Sequence, residues 1–168
     1  MIQKDKEGFL RLLEEHKLII YKICNSYCKN AGDRDDLAQE ISYQLWRSFT
    51  HFDGRVKFST WMYRVALNVA ITFYRKTKTN EAIIQLREPD TETEDSRDDT
   101  GETEKNINTL QRFINELKEL DKALMILYLE EKSYSEISEI LGITETNVAT
   151  RISRIKDKLK QKFSTINN

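Results

Sequence analysis

Two sets of cationic, amide and hydroxyl side chains recur at helical spacing in this chain. At about 100° per residue, Thr60, Arg64, Asn68, Arg75 and Lys78 fall within about 80° of arc, with Trp61 at its edge. Such a face could hold phosphates through its cations and stack an unpaired base on the indole. It could equally be a solvated helix face beside a half-buried tryptophan. The second set, Asn147, Thr150, Arg151, Arg154 and Lys158, shares roughly 100° of arc near the C-terminus. Asn and Arg there have the amide and guanidinium groups that read base edges in a major groove. Lys156, Lys160 and Lys162 lie further round and suit phosphates. Other clusters are weaker. Cys24 and Cys28, with His16 on the same stripe, are half a structural zinc site, and His16 lies two turns from Cys24. They read better as core thiols. Asp33, Asp35, Asp36 and Glu40 crowd a helix start, where the helix dipole favours carboxylates over a cation site. No nucleophile–base pair, metal-ligand set or glycine-rich phosphate loop stands out, and His16 and His51 are isolated. The chain therefore reads as a non-enzyme without cofactor, metal or small-molecule substrate.

Amphipathic helices must position these faces. A first helix is expected from about Glu7 to Lys29, on the spacing of Phe9, Leu12, Leu13, Ile19, Ile20, Ile23 and Tyr27. Asn30-Ala31-Gly32 ends it, and Asp33 is expected to cap a second helix with the stripe Leu37, Ile41, Leu45, Phe49 and Phe52. After the turn Asp53 to Lys57, a third runs from about Phe58 to Lys78 with Phe58, Trp61, Met62, Val65, Val69 and Phe73 on one side. These make a small three-helix bundle. Further helices are expected at about Glu104 to Lys118 and Asp121 to Glu131. Next, Ser133 and Glu136 form a capping box, Gly142 closes a short helix, and Thr144 caps the last one. Ile137, Ile140, Leu141, Ile143 and Val148 supply the small core of a helix-turn-helix; a generic αα-corner is the alternative.

The 168 residues hold 27 Lys+Arg against 28 Asp+Glu, a net charge of −1, which taken alone argues against a nucleic-acid partner. Only 5 Gly and 1 Pro disfavour β-rich folds. The charge is uneven: residues 1–80 carry +5, residues 81–106 carry −7 and residues 107–168 carry +1. From Glu88 to Glu102 there is no large apolar residue, so residues 81–106 are expected to be a disordered acidic linker between two domains. A solvated loop without a role is the alternative. With 2 Cys, no secretory leader and no apolar run of the ~18–20 residues a membrane span needs, the chain reads as cytoplasmic with reduced thiols.

The run Asp35-Asp36-Leu37-Ala38-Gln39-Glu40, then Leu45-Trp46-Arg47, then Phe58 to Asn68, resembles conserved region 2 of bacterial sigma factors. The terminal helix-turn-helix resembles region 4. With nothing like region 3 between them, the chain is similar to the extracytoplasmic-function (ECF) subfamily. The resemblance implies an all-α protein that binds core RNA polymerase, directs it to promoters and assists melting. Asp36, Gln39, Glu40, Ser42 and Trp46 match positions that dock on the clamp helices of the largest catalytic subunit, which makes the capping reading of Asp36 and Glu40 partial. Arg55, Lys57, Phe58, Thr60, Trp61, Arg64, Asn68 and Arg75 belong to the loop and helix that would hold the minus-ten element, the loop matching the family's pocket for a flipped base. Thr144, Asn147, Thr150, Arg151, Arg154 and Lys158 lie on the helix that would read the minus-thirty-five element, with region 4 also resting on the polymerase flap. Where the family often has Lys or Arg this chain has Ala149, which removes one contact. In the family the linker threads the polymerase cleft, and the acidic run here suits a nucleic-acid mimic. Members are usually held inactive by an anti-sigma factor. The rival class is a stand-alone helix-turn-helix regulator, which would need a dimer for affinity; Trp61, Arg64 and Asn68 on one helix speak against it.

Overall fold

The computed structural model describes residues 5–87 and 101–166. Among them the fold is all-helical, with eight α-helices and a 3-10 turn. The N-terminal half is α1 (Lys6–Glu15), α2 (Lys17–Tyr27), α3 (Ala31–Ser48), the 3-10 turn Phe49–His51 and α4 (Phe58–Arg87). The C-terminal half is α5 (Glu102–Glu116), α6 (Glu119–Leu129), α7 (Tyr134–Leu141) and α8 (Glu145–Ile166).

The single first helix expected from periodicity is two. The chain breaks at His16, whose backbone N–H is shared between the carbonyls of Leu12 and Leu13 at 3.2 and 3.3 Å. Its ring Nδ1 lies 2.9 Å from the same Leu12 carbonyl oxygen. One residue thus satisfies the loose end of α1 and redirects the chain, so that Phe9 on α1 and Ile19, Ile20 and Ile23 on α2 are all buried. The cap of α3 also differs. Asn30, not Asp33, is the N-cap: its Oδ1 accepts from the Asp33 N–H at 2.8 Å, and its amide donates to the Asp33 carboxylate at 2.9 Å.

The expected linker is helical at both ends. Residues 81–87 continue α4 without a breaker before Pro89, and residues 102–106 open α5. Its centre, residues 88–100, lies outside the described residues. The 30 residues of α4 make a rod about 45 Å long.

Among the described residues the two halves share one main core. One apolar cluster runs from Phe9 and Ile23 through Met62 and Leu67 to Leu124, Leu127, Ile137 and Ile152. The reason is α4. Phe58 and Met62, on the expected stripe, are buried, but so are Tyr63, Ala66, Leu67 and Ala70. These give α4 a second apolar side. It packs on α2 and α3 and also on α6 and α7. A small satellite of Phe113, Leu117, Met125 and Ile155 ties α5 to α6 and α8.

Candidate nucleic-acid interface

The loop before α4 is held by its own side chain. Asp53 accepts the Arg55 N–H at 3.0 Å and meets the Arg55 guanidinium at 3.1 Å, while Gly54 takes φ 77°, a value glycine adopts without strain. Arg55 and Lys57 are exposed. Behind them Phe49, Phe52, Phe58 and Trp61 form an aromatic cluster with centroids 5.1–6.4 Å apart. Phe58 is buried within it, whereas Trp61 is half-buried.

The polar arc of α4 is not the open face its spacing suggests. Thr60 is buried, and only Asn68, Arg75 and Lys78 are exposed. Arg64 donates to the Glu139 carbonyl at 3.3 Å, with the Glu139 carboxylate 3.7 Å away, on α7. Arg75 donates to Glu119 on α6 at 2.7 Å, a bond that holds the Glu119 carboxyl below its ordinary pKa. Lys78 lies 4.7 Å from the Tyr74 ring centre.

On α3, Asp36, Gln39, Glu40 and Trp46 are exposed, as a docking face needs. Ser42 is less available: half-buried, its hydroxyl donates to the Ala38 carbonyl at 2.8 Å. Trp46 is braced from beneath by Phe9, centroids 5.1 Å apart. A groove of about 590 Å³ joins the two faces, lined by Asp36, Glu40 and Gln44 from α3 and by Asn68, Phe73 and Lys76 from α4. Two carboxylates over an apolar floor suit an arginine side chain laid along it.

The helix-turn-helix forms as its caps dictate. Ser133 and Glu136 satisfy each other's backbone N–H groups at 3.1 and 2.8 Å. Gly142 ends α7 at φ 68°, and the Thr144 hydroxyl accepts from the Asn147 N–H at 3.1 Å. On α8, Val148, Ile152 and Ile155 face the core, while Thr150, Arg154 and Lys158, and Thr144 just before the helix, are exposed. Two expected reading residues are engaged internally. Arg151 donates to Asn147 Oδ1 at 3.0 Å and to Asp121 on α6 at 3.1 Å.

The thiols do not look reactive. Cys24 and Cys28 are both buried, and desolvation above all pushes their pKa values up to about 12 and about 11. Among the described residues, no three His, Cys, Asp or Glu side chains come together as a metal set. None of the described helices is long and apolar enough to cross a membrane.

Residues 12–79 match the Sigma-70 region 2 family, and residues 107–159 match Sigma-70, region 4. The ECF RNA polymerase sigma factor SigW of Bacillus subtilis is 31% identical, over 95% of this chain and 90% of its own length. This chain belongs to the ECF sigma factors. The ECF RNA polymerase sigma-E factor of Haemophilus influenzae is 28% identical over 98% of the chain and 92% of its own length. In fold, the sigma factor resembles CnrH, solved with the cytosolic domain of CnrY, at a TM-score of 0.68 and 18% identity over 96% and 90% of the two chains. It also resembles RpoE of Bartonella quintana, solved with the anti-sigma factor NepR, at 0.67 and 16% over 92% and 97%. Membership sets aside the stand-alone regulator.

Sequence reasoning missed the residues that join the two halves of this sigma factor. Lys122 is 2% exposed, with Nζ 4.5 Å from the Tyr74 ring centre and 5.1 Å from that of Tyr27. Burial lowers its pKa to about 8, and Lys78 and Lys29 push the same way. The Tyr27 hydroxyl donates to the Glu119 carbonyl at 2.7 Å, and Lys132 lies 5.7 Å from the ring centre of the buried Tyr63. The lysines look like surface lysines, Tyr63 falls off the stripe expected for α4, and the spacing places Tyr27 on an apolar stripe without naming a partner for its hydroxyl. The one available signal was a second apolar stripe on α4.

Proposed function

We propose that this ECF sigma factor directs RNA polymerase to promoters through three faces, each on a different helix. Carboxylates and an indole on α3, at Asp36, Gln39, Glu40 and Trp46, dock on a basic coiled coil of the polymerase, with an arginine stem laid in the groove beside them. The loop 53–57 and α4 take the unpaired minus-ten strand: Trp61 offers a stacking flank, Arg55, Lys57, Arg64 and Arg75 meet phosphates, and Asn68 offers amide hydrogen bonds. Unpairing costs a few kcal/mol per flipped base, and stacking on an aromatic returns ~1–3 kcal/mol. Opening is then an exchange of binding energies, with no catalytic group of the sigma factor's own. The N-terminal unit 1–80 and the C-terminal unit 107–168 divide this labour.

On α8 the exposed Thr150, Arg154 and Lys158 reach the minus-thirty-five duplex. Arg151, already bonded to Asn147 and to Asp121, holds α8 at its angle. Region 4 also rests on the polymerase flap. The structural neighbour RpoE, solved with the anti-sigma factor NepR, supports an anti-sigma partner for this chain too, and the setting is the cytoplasm.

The observation that carries the reading is one chain with an aromatic-backed basic helix at Trp61–Arg75 and a capped helix-turn-helix ending in a basic α8. Purified protein added to core polymerase on a library of genomic fragments should yield transcripts from defined start points. No promoter-dependent product from any fragment would overturn it.

A further inference from the structure

Region 4 covers α4 with carboxylates placed against its cations. Glu119 on α6 takes Arg75 at 2.7 Å. Glu139 on α7 meets Arg64 through its carbonyl at 3.3 Å and its carboxylate at 3.7 Å. Glu130, at the end of α6, pairs with Lys22 on α2. Glu119, Glu139 and Glu130 thus meet cations of the N-terminal half, and two of those cations, Arg64 and Arg75, are assigned to promoter phosphates.

We infer that the acidic edge of α6 and α7 is a built-in stand-in for the promoter strand, occupying the minus-ten surface of α4 until DNA and polymerase displace it. The inference rests on the assignment of α4 to single-stranded DNA. The chemistry is the same on both sides: a carboxylate and a phosphate each offer a guanidinium an anionic pair of oxygens. The pairs themselves are half-exposed and individually weak. Apolar contact of Tyr63 and Leu67 with α6 and α7 brings them into register, so the carboxylates choose what may compete more than they hold the halves together. The occluding charge thus comes from region 4, with Glu119 and Glu139 outside the acidic linker to which charge counting pointed.

The test uses the full chain and a fluorescein-labelled random 25-nucleotide single strand, titrated from 50 to 300 mM salt. The double variant Glu119→Gln/Glu139→Gln keeps shape and removes the two carboxylate charges that compete with phosphate, leaving the Arg64 bond to the Glu139 main-chain carbonyl in place. Its affinity should rise, and its log–log salt dependence should steepen by about 1.4, since each phosphate contact on a single strand contributes about 0.7. The control Glu7→Gln/Glu15→Gln makes the same charge change on α1, away from the interface. Equal shifts in both doubles would reduce the effect to net charge and overturn the inference, while leaving the promoter reading untouched. Adding Arg64→Ala/Arg75→Ala to the first double should erase its gain. A gain that survives would show that the strand binds elsewhere, and would overturn the reading of α4 itself. Circular dichroism confirms that each variant is folded.

Discussion

The two helices that we propose for promoter DNA, α4 and α8, stand in opposite states. α8 buries Val148, Ile152 and Ile155 on one side and leaves Thr150, Arg154 and Lys158 in solvent. α4 is buried on two sides, and two of its arginines are bonded to region 4. The same composition, a basic stripe beside an apolar one, thus gives an available reader in one half and an occupied one in the other. A helix at the edge of a domain needs one apolar stripe, while a helix between two layers needs two, and its polar residues are squeezed into what remains.

Trp61→Leu gives the most severe test of this contrast. Leucine keeps the apolar contact with Phe52 and Phe58 but removes the stacking flank. Strand opening, read by 2-aminopurine fluorescence in the promoter, should fall about five- to 150-fold, from ~1–3 kcal/mol per stacked base, while polymerase affinity is unchanged. Equal loss of both would reject the assigned role. On α8, Arg154→Ala should cost ~1–3 kcal/mol of minus-thirty-five discrimination if its contact is bidentate. Arg151→Ala should act differently, lowering the melting temperature and weakening all promoters alike. The reverse pattern would make Arg151 the reader and break the division drawn between exposed and engaged residues.

The interface between the halves should respond to pH in a defined direction. The pKa of Lys122 is depressed to about 8 when buried, against 10.5 when free. Between pH 8 and 10 the separated form binds the extra proton, so rising pH favours the packed arrangement. Below pH 8 both forms are protonated and the burial cost is felt in full. Glu119 and Cys28 oppose the shift, and Tyr27, held neutral by burial, reverses the trend only above its ordinary pKa near 10. Energy transfer between dyes on α1 and α8 should therefore rise from pH 7.5 to 9.5, and Lys122→Met should flatten the response. The smallest effect concerns Glu131, which ends α6 at φ 59°. Glu131→Gly should relieve about 0.5–1 kcal/mol and raise the melting temperature by a few degrees.

Local chemistry was the legible part of this sequence. Ser133, Glu136, Gly142 and Thr144 act on neighbours three or four residues away, so the helix-turn-helix could be drawn from them alone. Asn30 and His16 also act locally. They were passed over because Asp33 was a plausible cap and because the apolar period runs unbroken across the bend. The second stripe of α4 has no local cause: Tyr63, Ala66, Leu67 and Ala70 are apolar for the sake of helices that follow many residues later. Charge followed the same rule. The sequence displayed which segments were acidic, but pairing Arg64 with Glu139 spans 75 positions and needed the fold.

Lys122 finally offers a clock. An amine shut between two tyrosine rings cannot meet a water-borne acylating reagent, so its labelling must wait for region 4 to lift. Pulse labelling read by mass spectrometry would then time that event in the free chain, with the exposed Lys158 and Lys160 marking the reagent's unhindered rate. Addition of polymerase should turn the slowest lysine in the molecule into an ordinary one.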